Sequence, residues 1–286
     1  MSTDLPVLVG IDGSKDGLIA LRWAAWYAGV LHARLEVVHV VDERDLTPGG
    51  PPRPELDDGS ETLQDALGEL ERIGFANARL EVRNGHPAKV LLELSRQAQA
   101  LVVGRRGLGG FAELVLGSTS QICTALSTDV PLVVVPDTWD PIAERRGRIV
   151  VGVDGSLDGQ DALRFAFELA AATGTPILAL HAVVLPESYP DPNVWADPHD
   201  QLWSRAADEL LGTALDGWQT KYPDVVAERR SVAAHPVMAL AHESAAADLV
   251  VVGGLGRTSF SELRLGSVAR GLLHHARCPI AVIHHA

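Results

Sequence analysis

Leu101-Val-Val-Gly104-Arg-Arg-Gly107, nine further residues and Gly117-Ser118 make up one stretch of this chain; Leu249-Val-Val-Val-Gly253-Gly-Leu-Gly256, nine further residues and Gly266-Ser267 make up another with the same glycine spacing. Each opens as an apolar run ending in Val-Val-Gly, reads as a buried strand, and precedes a helical pattern. Glycines at a strand end let backbone N–H groups come close to a phosphate. The later Gly-Ser stands where a helix N-terminus offers unpaired donors and its dipole to an anion. With 27 Gly in 286 residues, composition alone produces the pattern at roughly one starting position in ten thousand. Two copies at matching places imply a nucleotide-binding protein built twice from one unit.

The rest of the chain repeats as well. Val7-Leu-Val-Gly-Ile-Asp12-Gly-Ser14 matches Ile149-Val-Val-Gly-Val-Asp154-Gly-Ser156, and His39 matches His181 at the end of an apolar run. Asn84-Gly-His86-Pro87 matches Ala233-Ala-His235-Pro236, and Asp129-Val-Pro131 with its apolar tail matches Arg277-Cys-Pro279. The offset between copies grows after the second strand, so insertions fall in a surface connection. The domains are expected at 1–140 and 147–286, joined by the linker 136–147. The Pro/Gly-rich 47–54 and Pro/Asp-rich 186–198 read as long loops.

Within the first unit, apolar runs at 7–11, 35–41, 79–83, 101–104 and 131–135 predict strands. Helical patterns lie between them at about 17–33, 58–75, 87–99 and 117–127. Near-continuous Val, Leu and Ile imply strands buried on both faces, hence an α/β fold with an open five-stranded parallel sheet and right-handed crossovers. With the strand order 3-2-1-4-5, a ligand sits between strands one and four at their carboxyl ends. Asp12 and the Gly104/Gly107 loop fall at those two ends. A carboxylate there can accept from ribose hydroxyls or hold a Mg²⁺ water.

Composition narrows the options. The chain is 47% hydrophobic and 21% charged, with a net charge of −13, which argues against a nucleic-acid or anionic-membrane partner. No apolar stretch reaches the ~18 residues of a membrane span, and the N-terminus lacks a basic leader. The two cysteines, Cys123 and Cys278, are not repeat-equivalent, so thiols in a reducing cytoplasm are expected rather than a disulfide.

Both halves resemble the universal stress protein family, over residues 5–136 and 147–284. The resemblance rests on the glycine spacing after the fourth strand, the Val/Ile-Asp-Gly-Ser openings, the strand-two histidines and the closing Pro-led strands. The tandem arrangement, with Gly217-Trp218-Gln219 and Cys278-Pro279, is similar to actinobacterial double-domain members. The resemblance implies a Rossmann-like fold of the adenine nucleotide alpha hydrolase type, with ATP, and Mg²⁺ beside it, as the ligand. It implies that Asp12 and Asp154 meet ribose or metal, and that Val40 and Ala182 contact adenine. Gly104, Gly107, Gly117, Ser118 and Thr119 would surround ribose and phosphates in the first half; Gly253, Gly256, Gly266, Ser267 and Val268 would do so in the second. Arg106 matches the family's basic residue before the second glycine, whereas the second half has Leu255 there and Arg257 just beyond.

Plainer readings stand beside these. Asp12 and Asp154 could cap the following helix together with Ser14 and Ser156. Arg105 and Arg106 read equally well as solvated or phosphate-bound. His274-His275 and His284-His285 lack zinc-site spacing, so no metal held by His or Cys is expected. His39 and His181 read as closing their strands with a backbone hydrogen bond, and His86-Pro87 and His235-Pro236 as helix entrances. Trp23, Trp26, Trp203 and Trp218 read as packing residues.

No G-x-x-x-x-G-K-[ST] loop, G-x-S-x-G elbow or G-x-G-x-x-G after the first strand is present. The leading expectation is therefore an ATP-binding regulatory stress protein that is not an enzyme, with one site per half. A slow ATP hydrolase or nucleotidyl-transfer enzyme, and a nucleotide-independent chaperone-like scaffold, are the alternatives. The short apolar fifth strands predict an intramolecular pseudo-dimer through Leu132–Val135 and Ile280–Ile283, and leave a homodimer open.

Overall fold

The computed structural model describes residues 5–42, 59–107, 116–127, 130–139, 147–184, 198–256 and 265–285. The predicted loop 47–54, most of 186–198, most of the linker 136–147, and Arg257 lie outside them. The chain divides into two compact units, Met1–Arg145 and Arg146–His285.

In the first unit the elements run β1 (Val7–Ile11), α1 (Lys15–Val30), β2 (Leu35–Val41), α2 (Ser60–Arg72), β3 (Ala78–Asn84), α3 (Pro87–Ser95), β4 (Ala100–Gly104), α4 (Ser118–Leu126) and β5 (Leu132–Val135). The sheet order is β3-β2-β1-β4-β5, and the pairs are parallel. The second unit repeats it with β6 (Ile149–Gly152), α5 (Leu157–Thr173), β7 (Ile177–Val183), α6 (Pro198–Lys221), β8 (Ala227–Ala233), α7 (Pro236–Ser244), β9 (Leu249–Gly253), α8 (Ser267–His275) and β10 (Ile280–Ile283). There the order is β8-β7-β6-β9-β10. Strand order 3-2-1-4-5 therefore holds in both, and the reversal of order between strands one and four occurs twice.

Hydrophobic burial follows from that order. Every residue of β4 and β5 is buried, as a Val/Leu run covered by helices on two sides requires. The expectation of full burial fails for β3 and β8, whose residues are largely half-buried or exposed. Both strands carry Arg and Glu (Arg79, Glu81 and Arg83; Glu228, Arg229 and Arg230), whereas β5 and β10, at the other end of each order, are wholly apolar and buried. Trp23 and Tyr27 are buried in α1 and stack at 5.1 Å between ring centroids; Trp26 meets Trp23 edge-on at 5.6 Å. In the second unit Trp218 stacks on Phe167 and Tyr222. Trp203 does not pack as expected, being 46% exposed. It lies in an early, exposed stretch of the long helix α6, ahead of the buried Ala207.

Among the described residues no helix is long and apolar enough to cross a membrane. Both cysteines are free and buried, and burial pushes the Cys123 thiol up to about 12.

Candidate functional site

The site begins where β1 stops. Ile11 pairs with His39 of β2, and Gly10 with Val103 of β4, so Asp12 emerges between two strand ends. Gly13 then adopts φ 79°, a conformation glycine takes at little cost. That turn folds the chain back so that the Asp12 carboxylate accepts from the Ser14 amide at 3.1 Å. The Ser14 hydroxyl accepts from the Gly17 amide at 3.1 Å and caps α1. The second unit repeats it: Gly155 has φ 78°, Asp154 accepts from the Ser156 amide at 2.9 Å and its hydroxyl at 2.6 Å, and Ser156 accepts from Gly159 N–H at 3.0 Å. Serine is the helix cap; the aspartate braces the turn leading into it.

The strand-two histidines close the wall. His39 Nδ1 donates to the Ile11 carbonyl at 3.0 Å and His181 Nδ1 to Val153 at 2.6 Å. A carbonyl can only accept, so Nδ1 carries the proton in both. Val40 and Ala182 follow directly and are half-buried.

The glycine loop meets Asp12 from the other side. A Cβ on Gly107 would lie 2.2 Å from Asp12 Oδ2, so the loop packs on the carboxylate only because glycine stands there. Gly104 is required by a different neighbour: its Cβ would fall 2.8 Å from the carbonyl carbon of Asp16. In the second unit a Cβ on Gly253 would lie 2.7 Å from Asp158 Cβ. The first glycine of each pattern thus lets the opening turn of α1 or α5 press against the strand end.

The loop returns to its own start. Gly117 N–H donates to the Arg105 carbonyl at 2.8 Å, and Gly266 N–H to Gly254 at 2.7 Å. Each is the N-cap of its helix and supplies no side-chain acceptor. Gly117 and Gly266 carbonyls receive Gln121 and Arg270 N–H, which leaves the amides of the first turn, at Ser118 and Thr119 or Ser267 and Val268, pointing off the helix end. Those amides and the helix dipole suit an anion. Ser120 Oγ ties the start of α4 to the Gly104 carbonyl at 2.6 Å; the second unit has a buried Ala269 in that place.

In the second unit these parts enclose a cavity of about 400 Å³. Its lining includes Asp154, Ala182, Gly253, Gly256, Gly266, Ser267 and Val268, which are all seven sequence-derived candidates of that half. Val153, Leu180, Leu240 and Val252 supply apolar surface beside them. An apolar wall for a planar base, a carboxylate at one side and a helix start at another form a small-molecule site of ordinary size.

The Arg106 side chain, a candidate phosphate contact, has a protein partner in this structure. Its guanidinium pairs with Asp137 at 2.8 Å, and Arg105 pairs with the same carboxylate at 3.2 Å. Two residues the sequence reading passed over stand at the loop's centre. Asp16 Oδ2 accepts from the Arg106 amide at 3.0 Å, and Asp158 Oδ2 from the Leu255 amide at 2.8 Å. Burial raises the Asp16 carboxyl above its ordinary value, opposed by that amide bond. The signal was present as a repeat longer than Asp-Gly-Ser: Asp12-Gly-Ser-Lys-Asp16-Gly17 against Asp154-Gly-Ser-Leu-Asp158-Gly159.

The surroundings of the two sites differ. Lys15, Asp42 and Lys89 of the first unit correspond to Leu157, Val184 and Met238 of the second; the latter three are 65%, 61% and 65% exposed. Arg105 corresponds to Gly254, and His284 occupies the space a side chain there would need, 2.1 Å from its Cβ position. Among the described residues no cluster of three or more His, Cys, Asp or Glu has the form of a metal site.

The sequence model of the universal stress protein family matches residues 5–136 and 145–284. A universal stress protein of Mycolicibacterium smegmatis is 32% identical over 303 residues, covering 99% of this chain and 98% of its own. A universal stress protein of Mycobacterium tuberculosis is 32% identical over 287 residues, covering 96% of each. Among solved structures, a universal stress protein from Archaeoglobus fulgidus superposes with a TM-score of 0.67 at 19% identity, over 99% of this chain and 98% of its own. This last likeness concerns the fold.

Proposed function

The chain belongs to the universal stress protein family, and on that premise we propose that each of its two units binds an adenine nucleotide, ATP being the leading candidate. The observation that carries the proposal is the second unit's cavity, whose lining includes every candidate residue of that half. The base lies against Ala182 and the apolar wall; in the first unit Val40 takes that role. Ribose hydroxyls donate to Asp12 or Asp154, whose Oδ1 is engaged by a serine amide. Phosphates lie on the first-turn amides of α4 or α8, beside Gly107 or Gly256. Mg²⁺ accompanying the phosphates would be held through water by Asp12 or Asp154, neutralising charge there.

The role is regulatory binding with little or no turnover. The amides that receive phosphate are main-chain donors, and no lysine stands in the phosphate-loop position that fast phosphoryl transfer uses. The setting is the cytoplasm.

Titration calorimetry of the full chain with ATP and Mg²⁺ tests this. Binding of two nucleotides per chain is expected, with stabilisation of ~2.7 kcal/mol for each occupied site at a hundredfold excess over Kd. No heat and no shift in Tm at millimolar ATP would overturn it. Turnover above ~1 s⁻¹, in the ordinary enzyme range, would overturn the regulatory assignment.

A further inference from the structure

We infer that Asp16 and Asp158 are positioning residues for the phosphate site, each fixing the glycine loop by holding the amide just before its second glycine. The inference rests on the nucleotide reading above and concerns how that site keeps its shape.

The geometry is the same in both units. The two carboxylates accept from the amides of Arg106 and Leu255 at 3.0 and 2.8 Å. Both aspartates are buried, 6% and 8% exposed. Each sits one residue into its helix, where the dipole favours a negative charge. Gly104 and Gly253 lack the Cβ that would collide with these aspartates, so the first glycine of each pattern admits the carboxylate-bearing turn.

A helix-capping role does not account for the contact. Ser14 and Ser156 already cap α1 and α5 through the amides of Gly17 and Gly159. The aspartates reach instead across the crevice, to residues about ninety positions away in sequence. A carboxylate near a phosphate site is electrostatically unfavourable, by Coulomb repulsion in a partly desolvated crevice. Keeping one in both units calls for an opposing benefit. Holding the Arg106 N–H fixes the loop where Gly107 meets Asp12, and the Leu255 N–H is held in the same way ahead of Gly256. The two carboxylates have different company. Asp16 has the Arg106 Nε at 4.0 Å, with Arg105 and Asp137 near it. Asp158 has His284 Nδ1 at 3.9 Å. The amide contact is common to both; the flanking charges are not.

The test compares two double variants of the full chain, Asp16→Ala with Asp158→Ala and Asp16→Asn with Asp158→Asn, by calorimetry with ATP and with adenosine as the phosphate-free probe. The Ala pair should raise the Kd for ATP about tenfold, the value of one hydrogen bond to a charged group. Adenosine affinity should stay within about twofold. The Asn pair, which keeps an acceptor oxygen, should recover most of the ATP affinity. Unchanged ATP affinity in the Ala pair, or equal losses for ATP and adenosine, overturns the inference, the latter by showing a general structural role. If the wild-type chain binds neither ligand, the nucleotide reading fails and takes this inference with it. Amide hydrogen exchange of the unliganded wild-type chain provides a measurement independent of variant folding: the Arg106 and Leu255 amides should be protected, and rapid exchange at both overturns the inference.

Discussion

The Asp12 carboxylate occupies the space in which any side chain at position 107 would have to begin: a Cβ on Gly107 would lie 2.2 Å from Asp12 Oδ2. The end of β1 and the loop after β4 are thereby locked into one surface. Asp12 is only half-buried, so Gly107→Ala should push the carboxylate aside without unfolding the unit. Expected are a fall in ATP stoichiometry from two to one and a Tm within a few degrees of wild type. A stoichiometry that stayed at two would sink the assignment of Gly107 to the first site.

Gly104 and Gly117 should separate stability from binding. A Cβ at 104 meets main-chain atoms of Asp16 at 2.8 and 2.9 Å, whereas at 117 its nearest neighbours lie at 3.5 Å. Gly104→Ala should therefore cost about 1–3 kcal/mol of stability through overpacking. Gly117→Val should leave denaturant unfolding close to wild type while blocking ATP at the first site, because its bulk enters the space between the helix start and the Arg105–Gly107 backbone, where the phosphates are proposed to lie. Equal stability losses from the two would contradict this division.

Lys15 and Lys89 lie in the first turns of α1 and α3, within two residues of Ser14 and Pro87, whose second-unit equivalents Ser156 and Pro236 line the cavity, and a smaller effect is expected of them. Lys15→Leu and Lys89→Met install the residues found at the equivalent positions of the second unit. Each should weaken ATP at the first site about two- to threefold, the scale of an exposed charge interaction, and leave adenosine unaffected. The ATP effect should shrink in high salt. Salt-independent losses would point to altered packing instead.

Acid should weaken the join between α1 and α2. Arg72 first, and Arg22 with it, hold the Glu69 carboxyl down to about 2 from an ordinary 4.5. A depressed carboxylate contributes stability that is present above its unfolded value and is lost as pH falls through the folded one. Glu69→Gln should therefore lower Tm near neutral pH, and the gap from wild type should close between 4.5 and about 2. Parallel Tm profiles across that range would show that the ion pairs contribute nothing.

Much of this site could be read before the fold was seen, because its parts are local. The parallel sheet follows from βαβ alternation, although its strand order had to be assumed; the His39 and His181 bonds follow from a polar residue ending an apolar run, and the helix entries from Pro87 and Pro236. What escaped were relationships between distant segments. Asp16 looks like an ordinary first-turn acid until the Arg106 amide arrives beside it. Arg105 and Arg106 read equally well as solvated or phosphate-bound, and nothing local announces that both pair with Asp137 some thirty residues on. Trp203 carries the composition of a core residue, but nothing in its local sequence announces that the early part of α6 is exposed there. Periodicity likewise could not tell the outer strands β3 and β8 from inner ones, since burial depends on neighbours rather than on the strand itself.

The hydrogen bonds from Gly117 to Arg105 and from Gly266 to Gly254, at 2.8 and 2.7 Å, cinch the two ends of each excursion together at its neck. The same closure at the same spacing spans sequences of different charge: Leu108-Gly-Gly-Phe-Ala-Glu-Leu-Val115 has no cation, while Arg257-Thr-Ser-Phe-Ser-Glu-Leu-Arg264 has two at unchanged length. A gene duplication with this neck preserved gives selection a place to diversify one copy while the other keeps its original chemistry.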